Sequence, residues 1–226
     1  MMKKKKQKLE MPEKFSAEPK GLVVCYIGAG KGKTTAAMGL AARAAGAGMN
    51  VYILQFVKAI PQLVKNGSDF AKASSDGQSQ ERIARGEWPV SNEINFFENI
   101  SSSSGIGKIE TEQAGLGFVG ILGDRKERDE HTRQALKGLG RAREIILSGD
   151  YQLVVLDEII SALELKLIEE RDIVELIELK LPETHLVLTG HNKFPKILSL
   201  CDLVTEMKMI KHPYYKGVLA QRGIDY

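Results

Sequence analysis

The chain has 226 residues, of which 43% are hydrophobic and 27% are charged, and this composition favours a folded α/β domain over a disordered or fibrous chain. Its formal net charge is only +3, and four lysines cluster at Lys3 to Lys6, so the charge balance gives no reason to expect a nucleic-acid partner. The sequence contains no run of about 18 apolar residues, so we predict no membrane span. The basic N-terminus also lacks the apolar segment of a secretory signal. We therefore predict a cytoplasmic protein without a membrane partner.

Residues 1 to 20 are polar and predict a mobile tail. Lys3 to Lys6 are either a solvated charge run or an arm that contacts an anionic ligand or a neighbouring subunit. Cys25 falls in a predicted core strand and Cys201 near a later strand, which favours reduced thiols over a disulfide. The four histidines have no ligand spacing with one another or with cysteine, so we predict no zinc site.

A phosphate-binding loop is predicted directly after the first apolar strand, residues 22 to 27. The loop comprises Gly28, Ala29, Gly30, Lys31, Gly32, Lys33, Thr34 and Thr35, and an alanine-rich helix follows it. A strand, a glycine-rich turn and a helix N-terminus in succession direct several backbone N–H groups at one anion. Lys33 would then contact the phosphates and Thr34 a magnesium ion. The alternative is a glycine turn that caps the helix without binding a ligand.

The glycines of this loop are spaced more closely than in the usual pattern. That pattern requires a glycine five positions before Gly32, where this chain has Ile27, and the first glycine of the loop is Gly28. A shorter loop that contains an additional lysine, Lys31, is expected to hold a polyphosphate differently from the loop of an ordinary ATPase. It could then present a different bond of the nucleotide for cleavage.

The second strand, residues 51 to 57, is an almost continuous apolar run of the kind found where both faces of a sheet are covered. Because a strand, a helix and a second strand follow one another closely, we expect a right-handed crossover and a parallel sheet. The predicted fold class is therefore α/β, a P-loop NTPase-like domain with a mostly parallel sheet and helices on both faces. Ligands of such folds bind at the carboxyl ends of the strands.

The regular pattern weakens between residues 59 and 113, and we interpret this segment as an insertion or lid with short elements near 80–85 and 92–99. Its lone tryptophan, Trp88, is either a packing anchor for the insertion or a ligand platform. A second glycine-rich turn follows at 115–120. Alone it is no dinucleotide-binding signature, because it lacks the strand, helix and acidic residue of that motif.

Two consecutive acids, Asp157 and Glu158, follow an apolar run at 153–156, which comes after a predicted amphipathic helix at 125–148. The run predicts a buried strand, and carboxylates at its end would suit a nucleotide-bound magnesium ion, which needs hard oxygen ligands. An apolar run that ends in two acids is also a common strand end. Its position downstream of a phosphate-binding loop favours the metal site.

The predicted domain spans residues 21–226, and helices alternate with strands in its last third. These are a helix at 169–180, a strand at 185–189, a short helix at 194–200 and a strand at 202–207. Thr189, at the end of its strand, is either a sensor of phosphate or metal or a hydroxyl that satisfies the turn at Gly190. The polar and aromatic residues 211–226 are expected to cover an edge of the sheet.

A set of short motifs, taken in chain order, resembles one known family. They are the short loop Gly28 to Thr35, Gln55-Phe56-Val57-Lys58, Gly115-Leu116-Gly117-Phe118, Val154-Val155-Leu156-Asp157-Glu158, Leu188-Thr189-Gly190, Asp202-Leu203-Val204-Thr205-Glu206, and the ending Lys211-His212-Pro213 with Gln221 to Tyr226. In this order and with this loop spacing, they resemble the ATP:corrinoid adenosyltransferases of the homodimeric, P-loop type. The resemblance covers residues 21–58 and 115–226.

The resemblance implies transfer of the 5′-deoxyadenosyl group of ATP to the cobalt(I) of a reduced corrinoid, with release of tripolyphosphate. Because cobalt(I) is itself a strong nucleophile, the protein need only position C5′ and stabilise charge on the leaving triphosphate. The resemblance assigns the second task to Lys33, Lys31, the loop N–H groups and magnesium. Thr34 with Asp157 or Glu158 would hold the metal, and Glu158 is the favoured direct ligand. The family also implies a nucleotide that lies reversed relative to ordinary P-loop enzymes.

The resemblance further implies a homodimer, a reductase that supplies cobalt(I), and an aromatic surface for the corrinoid. The family commonly has Gly-x-Gly-Phe-Thr-Trp, whose aromatic residues crowd the lower face of the cobalt. This chain keeps Phe118 but continues with Val119 and Gly120. We therefore assign corrinoid binding to Phe118, and Trp88 of the insertion is the candidate for the missing aromatic surface.

Two other functions remain open on the sequence alone. One is a P-loop ATPase or nucleotide kinase that breaks a phosphoanhydride bond. The other is a nucleotide-dependent binding protein whose insertion at 59–113 recognises a nucleic acid or a protein partner. The insertion lacks the dense interleaving of basic and aromatic residues that nucleic-acid binding usually needs.

Overall fold

A parallel sheet forms the centre of the molecule. The computed structural model describes residues 20–57, 92–100, 105–116, 119, 127–218, 221 and 223–224. The strands are β1 (Val23–Ile27), β2 (Val51–Gln55), β3 (Ile109–Gln113), β4 (Leu153–Asp157), β5 (His185–Thr189) and β6 (Leu203–Glu206). They lie in the order β3-β2-β4-β5-β1-β6, and every neighbouring pair is parallel. The predicted parallel α/β sheet is confirmed.

Helices pack on both faces of this sheet, as the sequence predicted. They are α1 (Lys33–Gly46), α2 (Asn92–Ile100), α3 (Arg128–Ser148), α4 (Ile159–Glu164), α5 (Glu170–Leu179) and α6 (Pro195–Ser199), and a 3-10 helix follows at Pro213–Lys216. One apolar layer joins α1 and α2 to the sheet, and a second joins α3, α4, α5 and α6 to the opposite face. No helix in the described part of the chain is both long and apolar enough to span a membrane.

The two central strands are buried along their whole length, which explains their continuous apolar sequences. All five residues of β2 and all five of β4 are buried, including the polar Gln55 and Asp157 at their carboxyl ends. On the α1 side, Ala37 and Ala41 have no exposed surface, because small side chains let this helix approach the sheet closely. Side chains at alternate positions of each strand therefore enter opposite apolar layers.

The strand β3 lies inside the range that the sequence predicted as an insertion, and sequence analysis did not identify it. It pairs with β2 in register, from Val51 opposite Ile109 to Gln55 opposite Gln113. The short element expected near 92–99 is the helix α2, which packs on β3. The segment that ends at residue 113 thus contributes an edge strand to the sheet. Residues 58–91, with the element expected near 80–85, lie outside the described residues, and a lid role for the segment stays a prediction.

Polar contacts attach β3 to the rest of the fold on the α3 side. Arg141 of α3 donates from Nε to Glu112 Oε2 at 2.9 Å and to the Tyr52 hydroxyl at 3.1 Å, and its guanidinium lies over the Tyr52 ring. The Tyr52 hydroxyl also donates to Glu112. Burial, followed by this bond to Glu112, raises the pKa of Tyr52 to about 12. A strand with two acidic side chains is therefore held by partners from other elements, among them Tyr151, which donates to Glu110.

The sheet ends on its other side at β6, whose four residues are all exposed. The two cysteines are free: Cys25 is buried in β1 and Cys201 is partly exposed before β6. A hydrogen bond with Cys201 and burial hold the pKa of the Cys25 thiol well above its usual range. The predicted reduced thiols are thus present, and Cys25 stays protonated. Residues 1–19 of the predicted tail lie outside the described residues.

Candidate active site

The predicted phosphate-binding loop connects the carboxyl end of β1 to the N-terminus of α1. Gly28 and Gly32 have φ values of 110° and 103°, a region that glycine adopts without steric cost. The N–H of Gly28 donates to the carbonyl of His191 at 3.0 Å, and the N–H of Gly30 donates to the carbonyl of Met207 at 2.8 Å. The loop is therefore anchored to the segments that follow β5 and β6, and these two N–H groups are bonded to protein.

The side chain of Lys33 folds back over this loop. Only 5% of the residue is exposed, and Nζ donates to the carbonyls of Gly28 at 2.8 Å and Gly30 at 2.9 Å. These bonds hold a positive charge within the loop, where an anion bound to the helix N-terminus would meet it. The sequence placed Lys33 at the phosphates, and the observed position is compatible with that role.

Further charges surround the loop. Lys193 pairs with Glu206 at 2.9 Å and Lys208 lies 3.9 Å from the same carboxylate. A hydrogen bond from Lys193 holds the pKa of Glu206 below its usual value. Lys31 of the loop is exposed. With Lys33, four lysines and the Glu206 carboxylate thus lie at or beside the loop, and this excess of positive charge favours an anionic ligand.

Asp157 is the centre of the hydrogen-bond network at the carboxyl ends of the strands. It has no exposed surface, and its carboxylate accepts bonds from the hydroxyl of Thr34 at 3.0 Å and from the hydroxyl of Thr189 at 2.8 Å. The amide Nε2 of Gln55 donates to its Oδ2 at 3.0 Å. Such bonds compensate for the desolvation of a buried carboxylate. The network brings β2, β4, β5 and α1 together at one point.

Glu158 follows Asp157 and has an unusual backbone conformation. Its φ of 62° and ψ of 19° are left-handed, which costs free energy for a residue that has a Cβ atom. The Thr189 hydroxyl accepts a bond from the backbone N–H of Glu158 at 2.7 Å. The hydroxyl of Ser161 donates to the Glu158 carboxylate and lies 3.2 Å from Nδ1 of His191. These contacts hold the Glu158 backbone and side chain in a defined position beside the loop.

A row of polar side chains extends from Asp157 across two more strands. Gln113, Gln55 and Asp157 are the last residues of β3, β2 and β4, and the strand register places them side by side. Nε2 of Gln113 donates to Oε1 of Gln55 at 3.1 Å. Sequence reasoning did not assign a role to either glutamine, although each is a polar residue at the end of a strand.

The structure brings most of the predicted site residues together. The loop Gly28 to Thr35, Asp157 and Glu158 surround the same edge of the sheet, and Thr34 bonds to Asp157. The sequence left two interpretations of Thr189 open, a sensor of phosphate or metal and a hydroxyl that satisfies the turn at Gly190. The hydroxyl bonds to Asp157 and to the backbone N–H of Glu158, whereas the N–H of Gly190 donates to the carbonyl of Tyr26. The contacts therefore place the hydroxyl with the two carboxylate residues. Trp88 and Phe118 lie outside the described residues, so their assignment to the corrinoid stays a prediction.

The oxygen donors at this edge suit a magnesium ion. A threonine hydroxyl and two adjacent carboxylates are hard ligands of the kind that Mg²⁺ takes beside a nucleotide phosphate. Asp157 is buried and already accepts three side-chain hydrogen bonds, whereas Glu158 is partly exposed. Glu158 is therefore the carboxylate that a metal ion could reach, and Asp157 orients Thr34. No cluster of three or more metal-binding side chains of His, Cys, Asp or Glu occurs within the described ranges.

Comparison with known proteins gives one consistent result. A sequence model described as "ATP:corrinoid adenosyltransferase BtuR/CobO/CobP" matches residues 19–75 and 82–226. A corrinoid adenosyltransferase of Sinorhizobium sp is 29% identical over 226 residues, which cover 100% of this chain and 89% of the relative. The enzymes of the same name from Pseudomonas aeruginosa and Escherichia coli K12 are 27% and 26% identical, and the alignments cover 100% and 98% of this chain and 93% of each relative. The chain therefore belongs to the ATP:corrinoid adenosyltransferase family.

Proposed function

We propose that this chain, as an ATP:corrinoid adenosyltransferase, breaks the bond between C5′ of ATP and its triphosphate in a single displacement. The electron pair of cobalt(I) in a reduced corrinoid forms the new cobalt–carbon bond at C5′, and the bonding pair of the C5′–O bond leaves with the oxygen as tripolyphosphate. Family membership supports the adenosyl transfer. The short phosphate-binding loop beside the Asp157 network is the observation that supports the site of this reaction.

The loop stabilises the leaving triphosphate in this proposal. Lys33 supplies a buried positive charge within the loop, and Lys31 supplies a second, exposed charge. Charge that develops on the leaving oxygen is stabilised most by fixed donors that need no reorganisation. The bonds from Lys33 Nζ to the carbonyls of Gly28 and Gly30 hold the ammonium in place before the nucleotide arrives. Residues 28–35 form the nucleotide site, and Lys33, Thr34 and Glu158 are its catalytic residues.

The proposed site also binds a magnesium ion beside the loop. Thr34 and Glu158 would be its ligands, and Asp157 would hold the Thr34 hydroxyl through the observed bond. When bound, the ion supplies positive charge to the triphosphate oxygens. The buried position of Asp157 and the partial exposure of Glu158 support this division of roles.

The remaining assignments come partly from the family resemblance and partly from the sequence analysis. The corrinoid would contact Phe118, and Trp88 would provide the aromatic surface that the chain lacks after Phe118. The protein would act in the cytoplasm as a homodimer, with a reductase that supplies cobalt(I). Residues 1–20 would be a basic tail of a single domain at 21–226, which carries an insertion at about 59–113. Sedimentation of the purified chain measures the oligomeric state directly.

The experiment that tests the function is anaerobic incubation of the purified chain with ATP, Mg²⁺ and chemically reduced cob(I)alamin. The corrin spectrum reports the cobalt–carbon bond, and the phosphate products are analysed in the same samples. Formation of adenosylcobalamin with one equivalent of tripolyphosphate is expected. ADP and phosphate with an unchanged corrin spectrum would instead indicate a P-loop ATPase, and separate pyrophosphate and phosphate without tripolyphosphate would contradict the single displacement.

A further inference from the structure

The row Gln113–Gln55–Asp157 has a fixed hydrogen-bond direction. Oδ2 of Asp157 accepts a hydrogen bond from Nε2 of Gln55 at 3.0 Å, so the Gln55 amide turns its NH₂ group towards Asp157. Its Oε1 then faces Gln113 and requires a donor, which is the Nε2 of Gln113 at 3.1 Å. The orientation of both amides is therefore determined by the carboxylate at the other end of the row.

This direction leaves one acceptor at the end of the row. Oε1 of Gln113 is buried, and no residue in the described part of the chain donates a hydrogen bond to it. The amide cannot rotate by 180° to remove the problem, because an oxygen would then face Oε1 of Gln55. A buried acceptor without a donor has lost its hydrogen bonds to water and gained none in the protein, which destabilises the fold. Such an atom is unusual in a folded protein and calls for an explanation, which a bound partner that donates a hydrogen bond would supply.

The position of Gln113 connects this atom to the reaction. It is the last residue of β3, at the same edge of the sheet as Thr34 and Asp157, and neighbouring parallel strands place it about 10 Å from Asp157 across two strand spacings. Its side chain shares the α1 face of the sheet, because Asp157 in the same row bonds to Thr34 of α1. Gly115, the first residue of the glycine-rich segment that the sequence predicted as a turn, follows Gln113 after one residue in the sequence. Gln113 thus lies at the same edge of the sheet as Thr34 and Asp157, and shortly before the proposed corrinoid-binding segment in the sequence.

We propose that Oε1 of Gln113 accepts a hydrogen bond from an N–H or O–H group of a bound substrate. Carboxamide N–H groups of the corrinoid periphery and hydroxyl groups of the ATP ribose have the required chemistry. Gln55 is a positioning residue, because it transmits the orientation of Asp157 to Gln113 through its own amide. The inference rests on the proposed function, and it assigns to the substrate a contact that the phosphate-binding loop does not provide.

The test compares steady-state kinetics of the full chain with those of Gln113→Met, which removes the acceptor at similar volume. The KM for one substrate is expected to rise about 3- to 10-fold, the range for one lost hydrogen bond, with a smaller change in kcat. A rise in the corrinoid KM identifies a carboxamide of the corrinoid, and a rise in the ATP KM identifies the ribose.

Gln152→Met is the matched control, because Oε1 of Gln152 accepts a bond from the N–H of Asn50 at the opposite end of the sheet. It should leave both KM values unchanged. Unchanged KM values for Gln113→Met would overturn the inference and indicate a structural role. If Gln113→Met does not fold, Gln113→Leu takes its place. A wild-type chain that binds both substrates but transfers no adenosyl group would contradict the proposed function instead, and calorimetric titration of each substrate would still test the contact.

Discussion

At the scale of single residues, Thr189 links the two carboxylates of the site. Its hydroxyl donates to Asp157 and accepts from the N–H of Glu158. Thr189→Val keeps the shape and removes both bonds, so we expect kcat for adenosyl transfer to fall about 10-fold and the free energy of unfolding to fall by about 1–3 kcal/mol. Thr189→Ser should retain most of the activity. Thr205→Val on the exposed strand β6 is the control, and an active Thr189→Val enzyme would show that the two bonds have no role in catalysis.

His185 makes the stability of the folded chain depend on pH. Its Nδ1 accepts a bond from the N–H of Leu22 at 3.0 Å, and burial together with the nearby Lys180 lowers its pKa below the ordinary value. Because the unfolded chain then binds a proton at a higher pH than the folded chain, stability is complete above about pH 6.5 and falls as the pH drops through the folded pKa. Urea denaturation between pH 7.5 and 5 should show this loss.

The variant His185→Gln cannot be protonated in this range, so its unfolding midpoint should depend less on pH than that of the wild type between pH 7.5 and 5. An equal pH dependence in the two proteins would show that other groups cause the acid sensitivity. His185 lies at the start of β5, at the end of the strand opposite the candidate active site, and its substitution should leave the KM for ATP unchanged.

At the residue scale, the site residues that could be predicted are those whose function depends on a short, continuous sequence pattern. The loop at 28–35 and the Asp157-Glu158 pair were predicted because each has a recognisable pattern, and the structure places Thr34 within 3.0 Å of Asp157. Gln55 and Gln113 were given no role. A single amide at the end of a strand has no pattern of its own, and its function depends on a neighbour that is distant in the sequence and adjacent only in the sheet.

At the scale of elements, α3 packs through a glycine against the residues that directly follow β2 and β3. A Cβ added at Gly138 would lie 2.5 Å from the Cβ of Ala114 and 3.2 Å from the ring of Phe56, whereas one at Gly140 would meet nothing within 4 Å. We expect Gly138→Ala to lower the free energy of unfolding by about 1–3 kcal/mol through overpacking. Gly140→Ala should raise it by about 0.5–1 kcal/mol, because alanine favours the helix. Chemical denaturation measures both, and equal effects would contradict the close approach.

Elements were predicted well where burial alone determines them. The strands β1, β2, β4 and β5 were recognised because each is a run of apolar residues, and α3 because its apolar face repeats at helical spacing. The strand β3 was missed because its sequence, Ile-Glu-Thr-Glu-Gln, has one apolar residue. Its acidic side chains are stabilised by Arg141, Tyr52 and Tyr151 from other elements. Contacts with residues this distant in the sequence cannot be predicted from the local sequence pattern of the strand.

At the scale of the whole molecule, the described residues of the proposed nucleotide site all lie at the carboxyl edge of one sheet or on the helix packed against it, so bound nucleotide should stabilise the entire fold. A ligand at 100 times its dissociation constant adds about 2.7 kcal/mol, which corresponds to a rise of about 5–10 °C in Tm for a chain of this size. Lys33→Ala should reduce this Mg-ATP-dependent rise strongly, and Lys196→Ala on α6 should not. Differential scanning calorimetry with and without Mg-ATP makes the comparison, and an unchanged shift in Lys33→Ala would exclude Lys33 from the nucleotide site.

The left-handed backbone of Glu158 implies a conflict between the selection for folding and the selection for catalysis. Glycine and asparagine adopt this conformation more readily than glutamate does, but neither carries a carboxylate. In a library randomised at this position and sorted for folded protein alone, these two residues should become more frequent than glutamate. Sorting the same library for adenosylcobalamin formation should retain glutamate. Selection for thermal stability alone would therefore replace Glu158 early, whereas selection for adenosyl transfer would retain it.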